Sequence, residues 1–232
     1  MRALPGESRR VPAGSKPLAR KDAALEQRRR ILRVTADLIA KRGYGGTTTE
    51  LIVRRARVGY GTFYKFFASK EAAFLALFDE TFETTGAVIA AAYGGEGDGR
   101  PWAERIGAAI RTFYAAIASD PQLWRACLVE ALTAGPEVLG RYESSIRELA
   151  GLLRRGREES ADAAVLPKAL EETLAGGIVW IAYQRLVAGE AATELPALLP
   201  EAIQFSLSPY LGEREAAAFA ARYAAESPAA SP

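Results

Sequence analysis

Apolar residues recur at three- and four-residue steps along almost the whole chain, and nowhere alternate long enough to mark a strand. From Asp22 onward, Leu25, Ile31, Leu32, Thr35, Leu38 and Ile39 follow the helical step. Asp22 is the predicted N-cap, and Gly43, following Lys41 and Arg42, is the predicted stop. Thr47-Thr48-Thr49-Glu50 opens a second, short helix, with Thr47 and Glu50 spaced as a capping box. A turn at Arg57-Val58 leads to a third helix over about 59–66. Ser69 then caps a fourth, which runs through Phe74, Leu77, Phe78 and Phe82 to the glycine-rich loop 94–99.

The pattern stays helical beyond that loop. Helices are predicted over 101–119, 121–134, 136–157 and 167–188, then from Leu195 or Pro200 to Leu211, with a short alanine-rich helix from Glu213. The fold class is all-α. Residues 1–21 are rich in Pro, Gly, Ser, Lys and Arg without periodicity and read as a disordered basic arm; 226–232 read as a flexible tail.

Charge divides the chain more sharply than its net of +2 indicates. Residues 1–70 carry 17 Lys/Arg against 5 Asp/Glu, whereas 71–232 carry 13 against 23. The first third therefore faces a polyanion, and the remainder does something else. Histidine is absent and Cys127 is the one cysteine, which leaves no basis for a zinc site, a His-dependent triad or a disulfide framework. No apolar run is long enough for a membrane span, and the basic N-terminus lacks the apolar core of a secretory signal. These features predict a cytoplasmic protein with neither metal nor cofactor and without a membrane partner.

The stretch from Val58, VGYGTFYKFFASKEA, places small, aromatic and basic residues together at the third helix. Helix, short helix, tight turn and short helix make a helix-turn-helix, whose last helix enters the major groove of double-stranded DNA. Gly59 and Gly61 allow close approach of the backbone, while Thr62 offers a hydroxyl and a methyl to base edges. Tyr60 stands in the first turn, within reach of the bases. Tyr64, Lys65 and Lys70 are placed for phosphates. Phe63, Phe66 and Phe67 face inward.

The segment RGYGGTTTELIVRRARVGYGTFYKFFASKE resembles the DNA-binding domain of the TetR family of transcriptional repressors. The glycine-aromatic after helix one, Thr-Thr at helix two, Gly-Thr-aromatic-Tyr in helix three and Phe-x-Ser-Lys-Glu at helix four occur in register. The resemblance implies a homodimer whose C-terminal domain binds a small-molecule effector and then releases DNA. It also implies phosphate contacts at Thr48, Thr49, Tyr64 and Lys70, and base reading at Tyr60, Gly61, Thr62 and Lys65. Three positions depart from the family pattern: Arg57 stands where glycine is usual, Gly59 replaces a Ser cap, and Glu50 occupies a position that is basic in some members. Glu50 is assigned to the capping box.

The body shows no catalytic grouping, so an enzyme is not expected; Glu130, Glu143 and Glu148 read as solvated acids. The 167–188 helix is apolar on more than one side, with Leu170, Leu174, Gly177 and Ile181 on one and Gly176, Trp180, Tyr183 and Val187 on another. This predicts an intersubunit four-helix bundle in addition to an internal core. Phe113, Trp124, Trp180 and Tyr183 are the candidate walls of an apolar or aromatic effector pocket. The expected organisation is a DNA-binding head over 22–68 and a larger effector-binding and dimerisation domain over 69–225. The alternative is a ligandless helical DNA-binding or architectural protein.

Overall fold

The computed structural model describes residues 15–95, 97–160 and 163–226, and among them there are helices and turns but no strand. The predicted arm therefore lies outside the described residues over 1–14, as does the tail over 227–232. The first helix, α1, spans Ser15–Arg42, so it begins well before Asp22, which lies inside it instead of capping it. The stretch SKPLARK contains no glycine, and its proline falls in the first turn, where a missing N–H costs nothing.

The second helix, α2, spans Thr49–Ala56, and the third, α3, spans Tyr60–Phe66. Thr48, not Thr47, caps α2: its hydroxyl accepts the Leu51 N–H at 3.3 Å. Thr47 is buried and donates instead to the Gly43 carbonyl at 3.0 Å, so the Thr47–Glu50 capping box does not form. Glu50 is an exposed acid in the first turn of α2, favourably placed for the helix dipole.

Helix α4 spans Lys70–Tyr93, with Ser69 accepting the Ala72 N–H at 3.2 Å as the expected cap. It runs from beneath α1 into the body, where it packs on α5 (Trp102–Ser119). Two arginines close its C-terminus, where carbonyls lack helical partners. Arg100 Nη2 donates to Ala92 O and Arg105 Nε to Tyr93 O, each at 2.9 Å.

The helix predicted over 121–134 is divided. After α6 (Pro121–Trp124), capped by Asp120, the chain widens into a π turn at Arg125–Val129 and then tightens into a 3₁₀ turn at Glu130–Thr133. The predicted 136–157 helix is also split, into α7 (Pro136–Leu153) and α8 (Gly156–Glu159). Trp102 accounts for the glycine at that break, since a Cβ on Gly156 would lie 2.4 Å from its ring. The rest comprises α9 (Leu170–Ala188), α10 (Ala191–Ala197), α11 (Leu199–Leu211) and α12 (Glu213–Glu226); α10 and α11 stand where a single helix from Leu195 or Pro200 to Leu211 was expected.

The core is continuous from Ile31 and Phe63 in the head to Ile203 and Leu207 in the body. Within it, Glu171 at the start of α9 is only 3% exposed. Arg157 Nε donates to its carboxylate at 2.6 Å and the Tyr210 hydroxyl at 3.2 Å. Burial is the largest single influence on the Glu171 pKa and raises it, but the hydrogen bonds and charge of Arg157, a backbone hydrogen bond and the Tyr210 hydroxyl together hold the carboxyl below its ordinary range.

Candidate nucleic-acid interface and effector cavity

Helix α3 is held by its inner face. Phe63 is fully buried, Phe67 just beyond the helix is buried, and their ring centroids lie 5.8 Å apart. The same period turns Tyr60, Gly61, Tyr64 and Lys65 outward, with Thr62 half-buried beside them. Tyr60 and Tyr64 lie nearly parallel, 6.4 Å apart, and are 50% and 54% exposed. No Cβ clash holds Gly59 or Gly61 in place, for an added Cβ would meet open space. Packing within the chain does not require glycine at either position.

The turn between α2 and α3 is built on Arg57, which adopts the left-handed conformation (φ 51°, ψ 48°). Among the described residues it is the one non-glycine with positive φ. Its backbone N–H closes α2 on the Arg54 and Val53 carbonyls, and its side chain is exposed. Arg54 and Lys65 are also exposed. Arg55 instead pairs with Asp37 at 3.0 Å, which ties α2 to α1.

Thr48 and Thr49 sit at the start of α2, the first exposed and the second half-buried. Lys70 is less free than its position in the sequence implies. Its Nζ donates to Tyr44 O at 3.0 Å and lies 3.9 Å from the Tyr44 ring centroid, so a phosphate would have to share it. Tyr44 in turn donates its hydroxyl to Glu71 at 3.1 Å. Burial next to that carboxylate pushes the phenol up to about 12.

The head and body are joined at the π turn. Arg125 Nε donates to Ala40 O at 3.2 Å and Nη1 to Leu186 O at 3.0 Å, so one guanidinium caps the last turns of α1 and α9 together. Glu130, expected to be solvated, accepts the Tyr44 N–H at 3.1 Å and lies against Gly43, whose φ is 77°. Neither role is marked in the sequence, because every partner is distant along the chain.

Between α4, α5, α6 and α7 lies a cavity of about 610 Å³. Four rings in succession border it, of which only Phe82 is more than marginally exposed: Phe78 stacks on Phe82 at 4.2 Å, Phe82 meets Trp124 edge-on at 5.4 Å, and Phe113 meets Trp124 at 5.6 Å. Phe113 and Trp124 thus lie where a pocket was expected. Trp180 and Tyr183, predicted to join them, do not line this cavity. They stack on each other at 5.0 Å on the outer side of α9, with Trp180 55% exposed. The sequence pattern could not separate an apolar face turned inward from one turned outward. Val187 and Phe205 are exposed as well, and a Cβ on Gly177 would come within 2.7 Å of the Phe205 ring.

Among the described residues, no helix is long and apolar enough to cross a membrane, and no group of three or more His, Cys, Asp or Glu could hold a metal ion. Cys127 is a buried free thiol that burial pushes up to about 12, which leaves it little thiolate to react with.

A buried aromatic inner face, an outward face of small, aromatic and basic residues and a two-helix turn define a helix-turn-helix DNA-binding domain carried on an all-helical body. Residues 31–77 match the model of the bacterial regulatory proteins of the tetR family, which marks the head as a DNA-binding domain of the tetR type. In overall fold it is similar to the fatty acid degradation regulator FadR from Bacillus halodurans, with a TM-score of 0.68 at 20% identity over 78% of this chain and 94% of that one. A gamma-butyrolactone receptor described as ArpA-like gives 0.65 at 22% identity, over 88% of this chain and 100% of that one. FadR from Bacillus subtilis, solved in complex with stearoyl-CoA, gives 0.61 at 20% identity, over 77% and 97%. No curated protein matches the sequence significantly.

Proposed function

We propose that the protein is a homodimeric, cytoplasmic repressor that leaves a near-palindromic operator when an apolar or aromatic small molecule enters the cavity between α4 and α7. The observation that carries this reading is the continuity of α4. One helix starts at Lys70, against the Tyr44 carbonyl of the head, and contributes Phe78, Phe82 and Ile89 to the cavity wall. A ligand that binds better when α4 is displaced shifts the heads by its difference in affinity for the two arrangements.

In this reading Tyr60, Gly61, Thr62 and Lys65 face base edges, while Thr48, Thr49 and Tyr64 face phosphates, with Lys70 sharing its ammonium between Tyr44 and the backbone. Assembly through α9 and α11 is supported by the exposed Trp180, Val187 and Phe205 and by the close approach at Gly177. Two α3 helices in such a dimer meet successive major grooves about 34 Å apart.

Selection of DNA sites by the full chain, followed by footprinting, is expected to yield two half-sites at that spacing, with affinity falling steeply in salt. Apolar aromatic ligands should then release the selected site. Binding of ligand without any change in DNA affinity replaces the sensor by a ligandless repressor, and equal affinity for random and selected DNA removes the operator reading altogether.

A further inference from the structure

Helix α4 is held at both ends and thinly supported in the middle. Near its start, Lys70 Nζ donates to Tyr44 O at 3.0 Å, the Phe74 ring lies 5.4 Å from that of Tyr44, and Glu80 pairs with Arg28 of α1. At its end, the Tyr93 hydroxyl donates to Leu152 O at 3.2 Å and Arg105 holds the Tyr93 carbonyl. Between Thr81 and Ile89, however, no residue of α4 is buried. The same stretch contains Thr84-Thr85-Gly86, a run of poor helix formers. A Cβ on Gly86 would meet nothing within 4 Å, so packing does not require glycine there. One turn earlier, Thr81 donates its hydroxyl to Leu77 O at 2.7 Å, a side-chain bond of the kind that bends helices. Open space flanks the stretch on two sides. Phe82, Glu83 and Gly86 border the cavity of about 610 Å³ towards α7, whereas Thr81 and Thr84 border a groove of about 590 Å³ between α1, α5 and α6. Thr85 touches both. Close-packed interiors resist displacement, so a helix moves where such spaces lie beside it.

We infer that α4 hinges at Thr84–Gly86, so that its first part tilts with the head while its last part stays with the body. This inference rests on the reading of α4 as the link between cavity and DNA. An occupant of the cavity widens the gap between α4 and α7, and the same tilt narrows the groove on the opposite side. The two spaces therefore act together, one gaining the volume that the other loses. Hinges concentrate a change of φ and ψ in a few residues, often small ones, as the Thr-Thr-Gly run allows. Arg125 and Glu130 hold the end of α1 to the body through long side chains, which follow a small tilt.

Amide hydrogen exchange and operator binding of the full chain test the hinge together. In the unsubstituted protein, amides over 83–88 are expected to exchange faster than those over 73–80. Gly86→Ala should slow exchange over 83–88 roughly fivefold and raise affinity for the selected operator about threefold, by depleting the tilted arrangement. Gly86→Pro removes a helical N–H and fixes a kink, so operator affinity should fall about tenfold or more while sedimentation still shows the wild-type assembly. Gly140 on α7 is also exposed, with nothing within 4 Å of an added Cβ, so Gly140→Ala gives the same gain in helix propensity away from the hinge. It should leave operator affinity unchanged. If Gly86→Pro unfolds the chain, the two alanine variants decide. Uniform exchange along α4, equal operator affinity with and without Gly86→Ala, or an equal gain from Gly140→Ala overturns the hinge and leaves operator binding in place. Failure of the unsubstituted chain to select any DNA site overturns the reading on which the hinge rests.

Discussion

Two aromatic pairs lie at the surface in different parts of the fold, one with both rings exposed and the other with one exposed and one half-buried. Tyr60 and Tyr64 on α3 are 50% and 54% exposed, and Trp180 on α9 is 55% exposed beside Tyr183. Their rings alone do not tell them apart; their neighbours do. The α3 pair stands among Gly61, Thr62 and Lys65, with the exposed Arg54 and Arg57 on the preceding helix and turn. That is a setting of cations and small polar groups, suited to phosphates and base edges. The α9 pair stands among Gly176, Gly177, Ile181 and Val187, with Phe205 of α11 against Gly177. Such a setting is mainly apolar, with little bulk to hold a second helix away. An exposed aromatic residue is therefore informative about its partner only through what surrounds it.

The comparison can be broken by exchanging the character of each face. Trp180→Arg places a charge where α9 is proposed to meet its counterpart. Association is expected to weaken by about 2–4 kcal/mol, with sedimentation showing monomer and circular dichroism showing unchanged helix. Retention of a stable dimer would move the interface elsewhere. A smaller effect is expected on the other face: Tyr60→Ala or Thr62→Val should lose about 1–3 kcal/mol of operator affinity and alter base preference. Both variants should sediment as wild type, which separates reading from assembly.

Smaller again is the change at Arg57, which holds a positive φ without being glycine. The other described residues with positive φ are glycines, as at Gly94, Gly135 and Gly189, but the turn of the helix-turn-helix uses arginine. Arg57→Gly removes the left-handed Cβ cost and is expected to raise the unfolding free energy by about 1 kcal/mol, measured by urea denaturation. It should also remove one cation near DNA and make the salt dependence of binding shallower by about one unit of slope at most. A loss of stability would show that the Arg57 side chain makes up for its backbone.

Legibility in the sequence followed the range of the interactions. The inward set of Phe63 and Phe67 and the outward set of Tyr60 and Tyr64 are fixed by one helical period within eight residues, and both were readable. Ser69 as the cap of α4 was readable for the same reason, its hydrogen bond reaching only Ala72. Thr47 and Thr48 are adjacent and chemically identical, so the pattern could not say which would cap and which would be buried. Arg125 was illegible: its acceptors lie 85 and 61 residues away, and no local pattern encodes them. Trp180 was misplaced because a helix apolar on two sides does not say which side meets its own chain.

The π turn at Arg125–Val129 bears on the ancestry of the chain as well as on its shape. A π turn winds more residues into one turn than the α-helix around it, as a single added residue would require. The 3₁₀ turn at Glu130–Thr133 then tightens the chain again before α7 begins at Pro136. Arg125 and Glu130, which hold the body to the head, stand at the two ends of this turn. Any relative that lacks the extra residue would present a different side chain to Ala40 or to Tyr44, whichever end is kept in register. Alignments carried rigidly from the 31–77 segment into the body should therefore slip by one residue at this point.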